Sequence, residues 1–209
     1  MLGNHGRSIT KTIFTPLARL LLAAHVTPNM VTVTGTLVTI AVAVSTLPRG
    51  YLWQGALALG VVLFCDSIDG VLARMSGTSS PFGAFLDSTM DRLGDGAVFA
   101  SLVAFAVFTM EPSTTRTVAI IAVLIAIVGA ATVPYARARA ESVGVIAKVG
   151  IAERTDRLIV ALLGAALYGW GAPAFFFAAG LCWVAFASLV TVIQRVHFTA
   201  RHIEQSTES

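Results

Sequence analysis

Four aspartates carry the most suggestive chemistry in the chain. Asp66 and Asp69 stand three apart in CDSIDGVLAR, and Asp87 and Asp91 four apart in GAFLDSTMDR. On helices, either spacing places both members of a pair on one face. Gly70 and Ala73 each fall four residues beyond one of the first pair and continue that face with almost no side-chain bulk, so a large ligand can approach the backbone there. Four carboxylates brought together without a histidine or cysteine ligand favour a hard divalent cation, Mg²⁺, Mn²⁺ or Ca²⁺. Two such ions bridged by shared carboxylates are a common way to handle a diphosphate and an in-line displacement. A single buried aspartate paired with arginine is often only helix glue. Four of them on two adjacent helices argue against that reading, because each uncompensated buried charge costs several kcal/mol.

The elements that must position these acids follow from composition. Of 209 residues, 56% are apolar and 12% charged, against about 25% charged in a soluble domain. Mean hydropathy is +0.82. A water-exposed surface cannot be built from this, and the sequence predicts an all-α integral membrane protein. A spanning helix needs about 20 mainly apolar residues. Six segments qualify: Val31 to Leu47, Leu52 to Ala73, Gly83 to Met110, Thr117 to Ala140, a fifth from Arg154 to the glycines at 169 and 171, and a sixth ending near Arg195. Ser8 to Ala24 mixes Lys11 and Arg19 with apolar residues at helical spacing and predicts an amphipathic juxtamembrane helix. The expected organisation is an interfacial segment over 1–25, a six-helix transmembrane domain over 26–200 and a disordered tail over 201–209. Met1 opens no recognisable signal peptide and is expected to belong to the working protein. Cys65 and Cys182, both inside apolar runs, are expected as packed thiols.

With both termini inside, twelve basic residues fall on the cytoplasmic side, and only Arg49 and Arg116 fall outside. This bias predicts a multi-pass protein of the cytoplasmic membrane, with membrane lipids and no nucleic acid as partners. The second span then descends toward the cytoplasm and the third climbs back, so the two acid pairs converge near the inner surface. Arg74 and Arg92 are close enough in sequence to offset some of the repulsion. A second chemistry, the carboxylate relay of a transporter, also uses acids in a helix bundle. Against it, no inverted repeat is visible, and the cluster lies at one surface rather than the midplane.

Asp66, Asp69, Gly70, Ala73, Arg74, Gly83, Asp87 and Asp91 resemble, position for position, the signature D-x2-D-G-x2-A-R-x8-G-x3-D-x3-D of the CDP-alcohol phosphotransferases. The resemblance implies transfer of a phosphoalcohol group from a CDP-linked donor, CDP-diacylglycerol, to an acceptor hydroxyl, with release of CMP. It implies one Mg²⁺ on Asp66, Asp69 and Asp87, a second on Asp66, Asp87 and Asp91, Asp91 as general base, and a homodimer. Gly70 and Ala73 would let cytidine lie against the helix, and Arg74 would meet donor phosphate or base. Asn29, Met30, Val31, Thr32 and Ser80 resemble the family's further donor contacts, although helix capping accounts for that stretch equally well.

Arg137, Arg139, Arg154, Arg157 and Arg195 gather at the cytoplasmic ends of the last three spans. The positive-inside bias and anionic headgroups explain most such arginines. A phosphate pocket is the sharper account, since arginine binds phosphate bidentately. The segments YARARAE, ERTDRL and VIQRVH look like those that hold the phosphate of inositol 1-phosphate in the bacterial branch making phosphatidylinositol phosphate. Here Arg137 stands where lysine is common and Thr155 where proline is expected. Glycerol 3-phosphate, the acceptor that yields phosphatidylglycerol phosphate, would want an equally cationic pocket.

Overall fold

A computed structural model of the chain describes residues 15–16, 19–77 and 80–207; the side chains of Asp66, Ser67, Asp69 and residues 205–207 also lie outside what is described. Among the described residues the long elements are six α-helices, with no strand: α1 (Pro28–Thr46), α2 (Leu52–Ser76), α3 (Pro81–Phe108), α4 (Thr114–Ser142), α5 (Arg154–Gly169) and α6 (Ala174–Thr207). A 3-10 turn, Leu47–Arg49, follows α1.

Local chemistry sets the helix ends. Thr27 accepts the Met30 N–H, with Pro28 opening the first turn, so α1 starts three residues before the apolar run that announced it. Ser80 and Pro81 repeat the arrangement at α3, where the Ser80 hydroxyl accepts the Gly83 N–H at 3.0 Å. Gly77, at φ +67, ends α2 in a left-handed conformation suited to glycine. Only residues 77–80 separate α2 from α3. A reciprocal capping box of Glu153 and Asp156 starts α5 and fixes Arg154 as its first residue.

Four of the helices, α1 with its 3-10 extension, α2, α4 and α6, are long and apolar enough to cross a membrane. The other two fall short for different reasons: α5 has 16 residues, and α3 carries Asp87, Asp91, Arg92 and Asp95 along its first four turns. Leu37, Leu57, Phe108, Val128, Phe186 and Ile193 point outward from the bundle, a surface that water would not tolerate and lipid would.

Inside, α4 lies along α6, α5 packs on α6 and α2, and α1 packs against both α2 and α3. The core runs through Leu52, Leu59, Phe99, Leu102, Val123, Leu158, Phe177 and Leu181. Phe105 meets Phe177 edge-on at 5.6 Å. Small residues let the helices approach closely. A Cβ on Gly129 would collide with Ser188, and one on Gly164 would lie 2.9 Å from the Phe176 carbonyl and 3.6 Å from Gly180 Cα. Gly60 has open space around it. Gly164→Ala is therefore expected to lower the thermal midpoint in detergent by the equivalent of about 1–3 kcal/mol, whereas Gly60→Ala leaves it unchanged or raises it slightly. Equal midpoints for the two variants would remove the close α5–α6 contact as a source of stability.

Three expectations change. The chain is helical to Thr207 rather than irregular from residue 201, and α6 continues past Arg195. No proline follows Pro173, and the Phe198 and His202 rings stack one turn apart at 4.0 Å, so polarity ends the apolar stretch without ending the helix. Cys182 is exposed on the outer surface, while Cys65 is half-buried. The juxtamembrane helix falls largely outside the described residues. Residues 19–23 are helical; Leu21 and Leu22 pack on Ile68, Val71 and Leu72 of α2, and His25, at φ 57, turns the chain into α1.

Candidate active site

The second half of α2 carries Asp66 and Asp69, whose side chains lie outside the described ones, and the first turns of α3 carry Gly83, Asp87 and Asp91. Asp87 and Asp91 are half-buried and one turn apart. They offer carboxylate oxygen as the donor, which fits a hard divalent cation. Among the described side chains no three acidic, histidine or cysteine groups gather as a cation site. The set expected from sequence needs Asp66 and Asp69 to complete it.

Asp91 is held in place from across the bundle. Arg154, at the first position of α5, puts Nη1 2.7 Å from Asp91 Oδ1 and donates Nε–H to Asp95 Oδ1 at 2.9 Å. Arg92 Nη2 lies 3.5 Å from Asp91 Oδ2 and 3.7 Å from Asp95 Oδ2. Sequence reasoning gave Asp95 no role. The signal was present, because Asp87, Asp91 and Asp95 repeat every four residues and so continue one face. Its partner could not be read, lying 59 residues further on.

The residues expected to meet the donor lie around the start of α1. A Cβ on Gly83 would sit 3.5 Å from Asn29 Oδ1 and 3.3 Å from Ser80 Oγ, so the N-termini of α1 and α3 meet. Met30 and Val31 line an apolar cleft of about 480 Å³ between α1 and α2, together with Leu21, Val26, Cys65 and Ile68. Thr32 is buried and donates its hydroxyl to the Pro28 carbonyl at 3.2 Å. On α2, Ala73 is half-buried, and the Arg74 guanidinium reaches back within 3.5 Å of where a Gly70 Cβ would stand. The bare backbone at Gly70 thus lies beside a cation. Thr27 and Ser80 do cap their helices, as the alternative reading of this stretch had it.

The five arginines do not share one surface. Arg137 and Arg139 are exposed at the end of α4, paired with Glu141 at 3.0 Å and with the Ser142 hydroxyl at 3.0 Å. Arg195 is buried and donates to two backbone carbonyls, Val149 through Nε at 3.0 Å and Val133 through Nη1 at 2.5 Å. It thereby ties the loop before α5 to α4 beside Pro134. Arg157 is 1% exposed, with Nη1 on the Ala152 carbonyl at 3.2 Å and Nε and Nη2 without a hydrogen-bond partner among the described residues. Arg157 is thus sealed beneath the surface on which the acceptor was expected. Spacing along the chain gave no measure of that depth.

The family model described as CDP-alcohol phosphatidyltransferase matches residues 25–193. A phosphatidylinositol phosphate synthase of Cutibacterium acnes is 38% identical over 207 residues, covering 96% of this chain and 98% of that protein. One from Mycolicibacterium smegmatis is 41% identical over 186 residues, covering 87% and 81%. The crystal structure of the Mycobacterium tuberculosis phosphatidylinositol phosphate synthase with CDP-DAG bound matches with a TM-score of 0.84 at 37% identity, over 90% of this chain and 94% of that one. The same enzyme in complex with manganese and citrate matches with a TM-score of 0.83.

Proposed function

Because this chain belongs to the CDP-alcohol phosphatidyltransferase family, and is thereby a transferase of the membrane, we propose that it moves the phosphatidyl group of CDP-diacylglycerol to inositol 1-phosphate, giving phosphatidylinositol phosphate and CMP. The observation that carries the acceptor assignment is the position of Arg154: a guanidinium ion-paired to Asp91 puts a phosphate-binding group beside the carboxylate proposed as the base. A phosphorylated polyol profits from that neighbour in a way that serine or free inositol does not.

In that reaction each signature residue has a role. Asp66, Asp69, Asp87 and Asp91 would hold two divalent cations, Mg²⁺ or Mn²⁺, which when bound neutralise the donor diphosphate and the leaving CMP. Asp91 takes the proton from the attacking hydroxyl. Gly70 and Ala73 leave room for the cytidine, with Arg74 and the Asn29–Ser80 corner beside it. Met30 and Val31 open onto the apolar cleft, whose lining suits an acyl chain of the donor. Arg154 and Arg195 hold the acceptor phosphate, with Arg137 and Arg139 drawing anions toward the mouth. In this reading α3 and α5 also cross the cytoplasmic membrane, supported by the four longer apolar helices they pack against, with both termini and the site facing the cytoplasm, and two copies assemble.

The test is direct. Purified protein with CDP-diacylglycerol and Mg²⁺ is offered inositol 1-phosphate, glycerol 3-phosphate, serine and inositol in turn, and CMP release is measured. Release with inositol 1-phosphate above the other three is the expected result. Preference for glycerol 3-phosphate would replace the acceptor, and no release with any of them would overturn the reaction. Stripping cations with a chelator is expected to abolish CMP release, and restoring Mg²⁺ or Mn²⁺ to recover it. Undiminished turnover in the chelator would dismiss the role given to the four aspartates.

A further inference from the structure

Asp95 takes part in none of the roles above, yet it is among the most buried charged side chains described. It faces the same two arginines as Asp91. Arg154 uses a different nitrogen on each acid, Nη1 on Asp91 at 2.7 Å and Nε on Asp95 at 2.9 Å. Arg92 repeats the bridge from within α3, so two acids and two guanidiniums close into a ring between α3 and the start of α5. The two acids differ in access, since the Asp91 side chain is 19% exposed and that of Asp95 3%. Substrate can reach the first and not the second. The backbone at Arg154 is fixed by the Glu153–Asp156 capping box, so its freedom lies in the side chain.

We propose that Asp95 is a positioning residue for acceptor binding: it anchors Arg154 through Nε, so that the Nη1 edge passes from Asp91 to the acceptor's phosphate without the side chain leaving the site. This deepens the proposed reaction and rests on its reading of Arg154. A charge-assisted bond from a buried carboxylate to Nε orients the guanidinium plane and leaves the Nη edge facing outward. No bond is made or broken covalently; a hydrogen bond changes partner. Were Asp95 neutral, Arg154 would be drawn wholly to Asp91. That single change would withdraw both the phosphate donor and the proposed base. A simple tie between α3 and α5 would need one of the two acids, whereas the observed guanidinium spans both, one buried and one open.

The experiment measures KM for inositol 1-phosphate and for CDP-diacylglycerol side by side in Asp95→Asn, Asp95→Glu, Arg154→Lys and the Asp95→Asn/Arg154→Lys double variant. Asp95→Asn and Arg154→Lys are each expected to raise the acceptor KM about tenfold, with the donor KM within about twofold of wild type. The double variant is expected to be no worse than either single one, because both remove the same Nε bond. Asp95→Glu, which keeps the charge, is expected to recover part of the acceptor affinity. Additive losses in the double variant, or equal changes in both KM values, would overturn the proposal and leave Asp95 a tie between helices. If Asp95→Asn does not fold, Asp95→Glu decides in its place: a rise of about threefold in the acceptor KM with the donor KM unchanged is expected, and equal changes in both KM values overturn the proposal. Failure of the acceptor assignment itself shows separately, as wild-type CMP release that does not depend on inositol 1-phosphate. The same comparison is then made with glycerol 3-phosphate.

Discussion

Asp91→Asn is expected to lower kcat by a factor of about 10²–10⁴ while CDP-diacylglycerol still binds, because the variant keeps the shape of the side chain and loses the group that takes the proton. The geometry makes this a clean substitution. Arg154 and Arg92 retain Asp95 as a partner, so the ring loosens without leaving a guanidinium stranded. Donor binding followed by thermal shift, beside CMP release, separates the two effects. An Asp91→Asn protein that turns over at the wild-type rate would remove Asp91 from the chemistry. One that neither binds donor nor turns over would make it a ligand first and a base second.

Arg195→Ala is expected to act twice. The guanidinium holds the Val133 carbonyl on α4 and the Val149 carbonyl in the following loop, both bonds made from a buried position. Truncation leaves those carbonyls short of a donor, at a cost of about 2–3 kcal/mol visible in the thermal midpoint. It also removes a cation proposed to face the acceptor's phosphate, so the acceptor KM is expected to rise at least about tenfold. Arg195→Lys divides the two roles, since it returns the charge without the fork that reaches both carbonyls. A lysine variant with restored acceptor KM and a lowered midpoint is the expected outcome. An acceptor KM that hardly moves in Arg195→Ala would leave this arginine a purely structural clasp.

Much of this arrangement was legible before any coordinates. Helix positions followed from apolar runs, but α1 and α3 begin at Pro28 and Pro81, ahead of the Val31 and Gly83 those runs marked, because Thr27 and Ser80 cap them and a cap is polar rather than apolar. The end of α6 was misplaced, since a shift from apolar to polar residues marks where lipid stops and not where hydrogen bonding along the backbone stops. Asp87 and Asp91 shared a face as their spacing required. The arginines were harder: Arg154, Arg157 and Arg195 look alike in sequence, yet one pairs with carboxylates, one is sealed and one clasps a loop. Such differences arise from contacts across 46 to 62 residues of chain, which no local pattern encodes.

The ring between α3 and α5 also bears on the order in which the protein comes into being. Asp91 and Asp95 are synthesised with Arg92 beside them, but Arg154 follows 59 residues after Asp95, with all of α4 made in between. A nascent chain thus carries two acids and one arginine at this depth until the start of α5 is delivered. Balance of charge arrives together with the last third of the polypeptide, so the centre is completed by the whole chain and not by the stretch that contains its acids.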